Sequence, residues 1–106
     1  MRTIHILGIL SFFLGTNASA NFLNGNDLYR DLMSTAAVDQ ATSRGYVIGA
    51  ADASEKSAWC HVNPDKIARG QVIDIVKKFL AAHPELRHHT ADSLVAGALN
   101  AVWPCK

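Results

Sequence analysis

Four histidines in the second half of the chain are the first candidates for metal binding or acid–base chemistry: His61, His83, His88 and His89. None of them forms the H-E-x-x-H pair that places two imidazoles on one helical face. The side chains of the adjacent His88 and His89 cannot both face a metal held by a single helix. Zinc needs three or four nitrogen, sulfur or oxygen ligands, and the available set is poor if both cysteines form a disulfide. The sequence therefore predicts no metal site and no cofactor. The histidines are interpreted as solvated or helix-capping residues.

Nucleophilic catalysis is the second chemistry that the residue types could support. The sequence contains no G-x-S-x-G motif, which would mark a serine nucleophile. Cys60 directly precedes His61, but a catalytic Cys–His dyad is assembled in space rather than between neighbours in sequence. The sequence therefore predicts that the protein is not an enzyme.

The first twenty residues have the pattern of a secretory signal peptide. Arg2 supplies a positive start, residues 4–15 are almost entirely apolar, and small residues follow at Ala18–Ala20. The apolar run is shorter than the roughly 20 residues that a membrane-spanning helix needs. We therefore expect cleavage after Ala20, a single mature domain over residues 21–106, and no stable membrane anchor.

The charge balance of the mature chain is close to neutral. All 9 acidic residues follow the expected cleavage site, and 9 of the 10 basic residues do so as well. Nucleic-acid binding depends on neutralising phosphates with lysine and arginine. The sequence therefore predicts no nucleic-acid partner and no basic patch for an anionic membrane.

Cys60 and Cys105 are the only cysteines in the sequence. Thiols oxidise after export, and an even number of cysteines in a small secreted domain favours a disulfide. An intrachain bond is favoured over two free thiols or an intermolecular bridge. Closing a loop of about 45 residues would stabilise the fold by roughly 3.5 to 4 kcal/mol in the chain-entropy description.

Apolar residues at spacings of three and four predict four helices joined by short connections. The first opens at Gly25 with Asn26 as the capping candidate, and the others cover about 38–53, 70–82 and 91–102. The predicted fold is all-α, a small compact bundle of four to five helices stapled by one disulfide. Within the second helix Gly45, Gly49 and Ala53 repeat every four residues, which predicts close packing against a neighbouring backbone.

Several stretches, in this order, resemble one protein family: "FLNGNDLYRDL", "GYVIGAADA", "WCHVNP" and "GQVIDIVKKFLAAHPELRHHTADSLVAGALNAVWPC". Together they are similar to the Rap/Tai-type immunity proteins of bacterial type VI secretion systems. The resemblance implies a helical periplasmic protein that binds and inhibits a peptidoglycan amidase effector, and that in many members is a homodimer. It also implies that Cys60 and Cys105 form the family's bridge, while Leu32 and Ser43 occupy the positions of a second cysteine pair found in relatives.

Two exposed connections are the candidates for contact with an effector, because inhibitors commonly act through loops. The first contains Glu85, Leu86, Arg87, His88 and His89, and the second contains Glu55 and Lys56. A runner-up function is a periplasmic stress chaperone of the acid-activated type, in which titrating side chains would open a dimer at low pH.

Overall fold

The computed structural model describes residues 22–61 and 66–106, and this part of the chain forms a bundle of four α-helices. In chain order these are α1 (Gly25–Leu32), α2 (Ala37–Ser54), α3 (Arg69–Ala82) and α4 (Ala91–Val102), with a short 3-10 turn at Pro84–Leu86. The all-α prediction is confirmed, and the helix bounds agree closely with those expected from apolar spacing. The expected signal peptide lies outside the described residues.

Helix α1 begins with a capping box at Asn24, two residues before the predicted cap. The Asp27 N–H donates to Asn24 Oδ1 at 2.9 Å, and the Asn24 N–H donates back to Asp27 Oδ2 at 3.2 Å. The prediction of Asn26 as the cap is wrong because a capping box needs an acidic partner three residues later. Asn24 has this partner in Asp27, whereas Asn26 already lies within the first turn of the helix.

One stripe of each helix forms the hydrophobic core. The largest fully buried side chains come from all four helices and from the connection after α2: Leu28, Val47, Trp59, Val76, Leu80, Val95 and Leu99. The two in α3 and the two in α4 are each four residues apart, which places each pair on one helical face. Leu32 and Ser43 are both buried as well.

The close backbone approach in this bundle occurs at Gly25, and not at the glycines of α2. A Cβ atom on Gly25 would overlap Leu94 and would lie 2.8 Å from the Cα of Arg87. By contrast, a Cβ atom on Gly45 or Gly49 meets nothing within 4 Å. Ala53 is also exposed. Within the described chain the predicted packing role of Gly45, Gly49 and Ala53 is therefore wrong, because their spacing marks a common face without showing whether it points inward.

The predicted disulfide between Cys60 and Cys105 is confirmed. The two Cα atoms are 4.9 Å apart, and the bond closes a separation of 45 residues. Beside it the Cys60 N–H donates to the Trp103 carbonyl at 2.9 Å, and Trp59 packs against the Trp103 ring with centroids 5.8 Å apart. The indole N–H of Trp59 donates to the carbonyl of Ala51 at 3.0 Å. The connection after α2 is therefore joined both to α2 and to the C-terminal end of α4.

Candidate partner-binding surfaces

Arg87 lies in the middle of the first predicted segment, residues 85–89, which we call the contact loop. Its side chain is turned toward the bundle. Its Nε donates to the carbonyl of Leu80 at 2.7 Å, and its Nη2 reaches the carbonyl of Ala81 at 3.5 Å. Its guanidinium also lies 4.1 Å from the centroid of the Tyr29 ring. Arg87 thus satisfies carbonyl groups at the C-terminal end of α3, which have no partner within the helix, and joins that end to α1.

The backbone of the same loop also supports the start of α1. The Gly25 N–H donates to the His89 carbonyl, and the Asn26 N–H donates to the Arg87 carbonyl, both at 2.9 Å. Leu86 is half-buried and packs against the core. Because the first N–H groups of a helix need partners outside it, the loop and α1 fix each other's position.

The outward face of this loop carries the three remaining predicted residues, Glu85, His88 and His89. All three are exposed, and the two imidazole rings are tilted against each other with centroids 4.1 Å apart. The Glu85 carboxylate lies 3.2 Å from Nδ1 of His83. Its pKa is lowered by its own backbone N–H and by His83, so Glu85 is a carboxylate at neutral pH. The face can accept hydrogen bonds or pair with a cation through Glu85, and can stack or hydrogen-bond through its imidazoles.

The second predicted segment lies directly after α2. Glu55 is partly covered, with its carboxylate 3.6 Å from Nδ1 of His61. Lys56 is exposed, and its backbone has a φ of 73°. This is the left-handed region, which residues other than glycine rarely adopt. Its N–H donates to the Trp59 carbonyl, which closes the turn.

The structure does not bring the two predicted segments together. The turn at Lys56 lies near the C-terminal end of α4, where Asn100 donates to the Ala58 carbonyl at 2.8 Å. The loop ending at His89 leads into the N-terminal end of the same helix. A helix of 12 residues is about 18 Å long, so the seven predicted residues form two separate surfaces.

A third surface was not predicted from the sequence. It is an open groove of about 550 Å³ between α2 and α3, lined by Arg44, Gly45, Ile48, Arg69, Gly70 and Ile73. We refer to it as the α2–α3 groove. The sequence signal for it is a glycine within the helix on each wall, Gly45 and Gly70. Glycine weakens a helix, so its presence there indicates that something other than helix stability requires it.

No metal centre is found in the part of the chain that the structure describes. Within residues 22–61 and 66–106, no group of three or more histidine, cysteine, aspartate or glutamate side chains could hold a metal ion. Over the same residues, no helix is long and apolar enough to span a bilayer.

Comparison with known proteins gives the chain its family. No curated protein is similar enough to be counted as a relative. The family of Rap1a immunity proteins matches residues 24–105, which include all four helices, the contact loop and both cysteines. The chain therefore belongs to the Rap1a immunity protein family.

Proposed function

We propose that this protein is an exported periplasmic immunity protein that binds and inhibits a peptidoglycan amidase effector of a type VI secretion system. The observation that carries the proposal is the family match over residues 24–105. Membership of an immunity family implies an inhibitor of a secreted effector rather than an enzyme. The amidase as target, the type VI system and the homodimer are parts of the proposal that follow the sequence resemblance.

The disulfide supports the proposed location. Disulfides persist in oxidising compartments such as the bacterial periplasm and are rare in the cytosol. The Cys60–Cys105 bond and the signal-peptide pattern of residues 1–20 both favour a mature protein that acts after export. A periplasmic inhibitor would meet its effector where peptidoglycan is cleaved.

The loop containing Glu85, His88 and His89 is our first candidate for contact with the amidase. Its backbone is held by α1, and Arg87 and Leu86 hold it from within. A loop that is already ordered loses little conformational freedom on binding, which improves affinity. We assign effector contact to the three exposed side chains and a positioning role to Leu86 and Arg87.

Glu55 and Lys56 form the second candidate contact. The exposed Lys56 side chain offers a positive charge, whereas Glu55 is partly engaged with His61.

The test is inhibition of the peptidoglycan amidase encoded beside this gene. The purified, oxidised mature protein is expected to block peptidoglycan hydrolysis at a one-to-one ratio, with size-exclusion chromatography and light scattering reporting the oligomeric state. The double variant His88→Ala/His89→Ala is expected to inhibit less well while melting at the parental temperature. Unchanged hydrolysis at an excess of the parent protein would overturn the proposal.

The acid-activated chaperone is the less favoured function. Such a switch needs ionisable groups whose titration disrupts the folded state. Among the described residues, the only buried polar side chain is that of Ser43, which does not titrate in this range. The four histidines at 61, 83, 88 and 89 are all at least partly exposed.

A further inference from the structure

The α2–α3 groove combines an apolar floor with two positive charges. Ile73 is buried and Ile48 half-buried, whereas Arg44 and Arg69 are exposed on the two walls. None of the described residues that line the groove is acidic. Its volume of about 550 Å³ is in the range of ligand sites. It is open to solvent, so it suits a segment of another protein better than a small molecule that must be largely enclosed.

Glycines on both walls leave room that the fold itself does not use. Gly45 lies within α2 and Gly70 in the first turn of α3, and a Cβ atom on either would meet nothing within 4 Å. Glycine in a helix lowers stability relative to alanine. At Gly25 this loss is explained by close packing inside the bundle, but at Gly45 and Gly70 no described residue approaches. The space above both backbones is accessible to atoms of a partner.

Among the described residues, neither Arg44 nor Arg69 has an ion-pair partner. The ion pairs found in the described part of the chain involve Arg30, His61 and His83. Helix α3 also begins at this groove without a side-chain cap, so its partial positive charge adds to that of Arg69. The groove is therefore complementary to carboxylates.

A second copy of this chain fits the groove poorly. In a two-fold symmetric dimer the same patch lies on both sides of the interface. Pairing two grooves would bring Arg44 and Arg69 of both copies together without an acidic lining residue between them. Like charges placed opposite each other in an interface are unfavourable. The charge favours a different, acidic protein.

We propose that the α2–α3 groove is a second effector-binding site, which receives an apolar segment of the amidase that carries carboxylates. This inference rests on the proposed function and adds to it a recognition site independent of the loop at Glu85–His89. The groove lies at the N-terminal end of α3 and the loop follows its C-terminal end. A helix of 14 residues separates them by about 20 Å, so substitutions in one can be made without altering the other.

The first experiment reverses the two charges and measures binding of the amidase by titration calorimetry. Arg44→Glu/Arg69→Glu is expected to weaken binding by about tenfold or more, since it opposes like charges in the interface. Lys77→Glu/Lys78→Glu is the matched control, because it makes the same charge change on α3 outside the groove lining. It is expected to retain the parental affinity within about threefold, the modest effect of a rim charge on affinity.

The second experiment fills the glycine space. Gly45→Ala and Gly97→Ala each remove an exposed helical glycine above which nothing lies within 4 Å, and both are expected to raise the Tm by a few degrees. Only Gly45→Ala should weaken amidase binding, because Gly97 lies in α4 outside the groove. A variant that melts higher and binds less well cannot be explained by damage to the fold.

Each result has a distinct meaning. If the parent protein does not bind the amidase, the proposed function fails and the groove assignment fails with it. If the parent binds and the charge-reversal variant retains parental affinity, the groove assignment alone is overturned. If charge reversal changes self-association in light scattering and leaves amidase binding intact, the occupant is a second copy, which also overturns it.

Discussion

The two ends of α4 are attached to the rest of the bundle by different chemistry. At the C-terminal end, the Cys60–Cys105 disulfide and the packing of Trp59 on Trp103 hold the connection that follows α2. At the N-terminal end, hydrogen bonds from Arg87 and from the N–H groups of α1 hold the contact loop. A covalent bond restricts even the unfolded chain, whereas hydrogen bonds act only in the folded state. The loop proposed to contact the effector is therefore ordered by polar contacts that single substitutions can remove.

Removing the disulfide at the C-terminal end of α4 should destabilise the protein most. Cys105→Ser is expected to lower the free energy of unfolding by about 3.5 to 4 kcal/mol under oxidising conditions, in the chain-entropy description of a disulfide. Denaturant unfolding measures the change, and the reduced parent protein is the control that should match the variant. Hydrogen exchange should rise near Trp103 more than near His89. An equal rise at both ends would contradict the distinction between them.

The hydrogen-bonded end depends most on Arg87. Arg87→Met keeps the length of the side chain but removes its donors, and is expected to cost about 2 kcal/mol because a charged hydrogen bond to the Leu80 carbonyl is lost. Arg87→Lys retains the positive charge but not the paired donors, and should recover only part of the loss. If methionine and lysine at this position gave the same stability as arginine, the hydrogen bonds of Arg87 would not hold the N-terminal end of α4.

Gly25 tests the backbone contact between α1 and the loop. Gly25→Ala is expected to destabilise the fold by about 1 to 3 kcal/mol, since the added methyl group overlaps Leu94 and the Arg87 backbone. Gly97→Ala is the control because its methyl group meets open space, and it should stabilise the protein by up to about 1 kcal/mol. Thermal unfolding of both variants shows whether each substitution raises or lowers the Tm. A change in the same direction for both would contradict the close approach at Gly25.

The capping box at the start of α1 should contribute less. Asn24→Ala is expected to cost about 1 kcal/mol, as for other helix caps, whereas Asn26→Ala at an exposed position should stay within about 0.5 kcal/mol of the parent. Chemical denaturation resolves the two values. A larger loss from Asn26→Ala would restore the capping assignment made from the sequence.

The smallest effect concerns pH and the Glu85 carboxylate. Its lowered pKa means that the ionised form is favoured in the folded state. Its contribution to stability is therefore present above the pKa of the unfolded chain and is lost as the pH falls through the lower folded pKa. Glu85→Gln should slightly reduce the difference in Tm between pH 7 and acidic pH. A larger difference in the variant would contradict the stated direction.

The helices and the disulfide could be predicted from the sequence because their signals are local or simple. Apolar spacing defines α2, α3 and α4, and only Cys60 and Cys105 were available to form a bond after export. The role of Arg87 could not be predicted, since its acceptors are carbonyl groups six and seven residues earlier and its ring partner is Tyr29 on another helix. The α2–α3 groove also required the fold, because its walls are far apart along the chain.

The outward direction of Gly45 and Gly49 cannot be predicted from the sequence for a different physical reason. Residues spaced by four share a helical face, but spacing alone does not give the side of the bundle on which that face lies. The buried stripe of α2 consists of Ser43, Val47 and Ala51, and a polar residue within it reduces the contrast between the two faces. The spacing therefore groups Gly45, Gly49 and Ala53 on one face, and in the fold that face points to solvent.

The disulfide also determines how the chain would respond to mechanical force. The 45-residue separation between Cys60 and Cys105 forms a closed ring that contains α3 and α4, while α1 and α2 form an open arm. Tension applied between Leu23 and Lys106 passes through the sulfur atoms and cannot extend the ring. At about 3.4 Å per residue, the ring withholds about 150 Å of contour length until the bond is reduced. Stretching would detach α1 and α2 from a ring that keeps the contact loop within it.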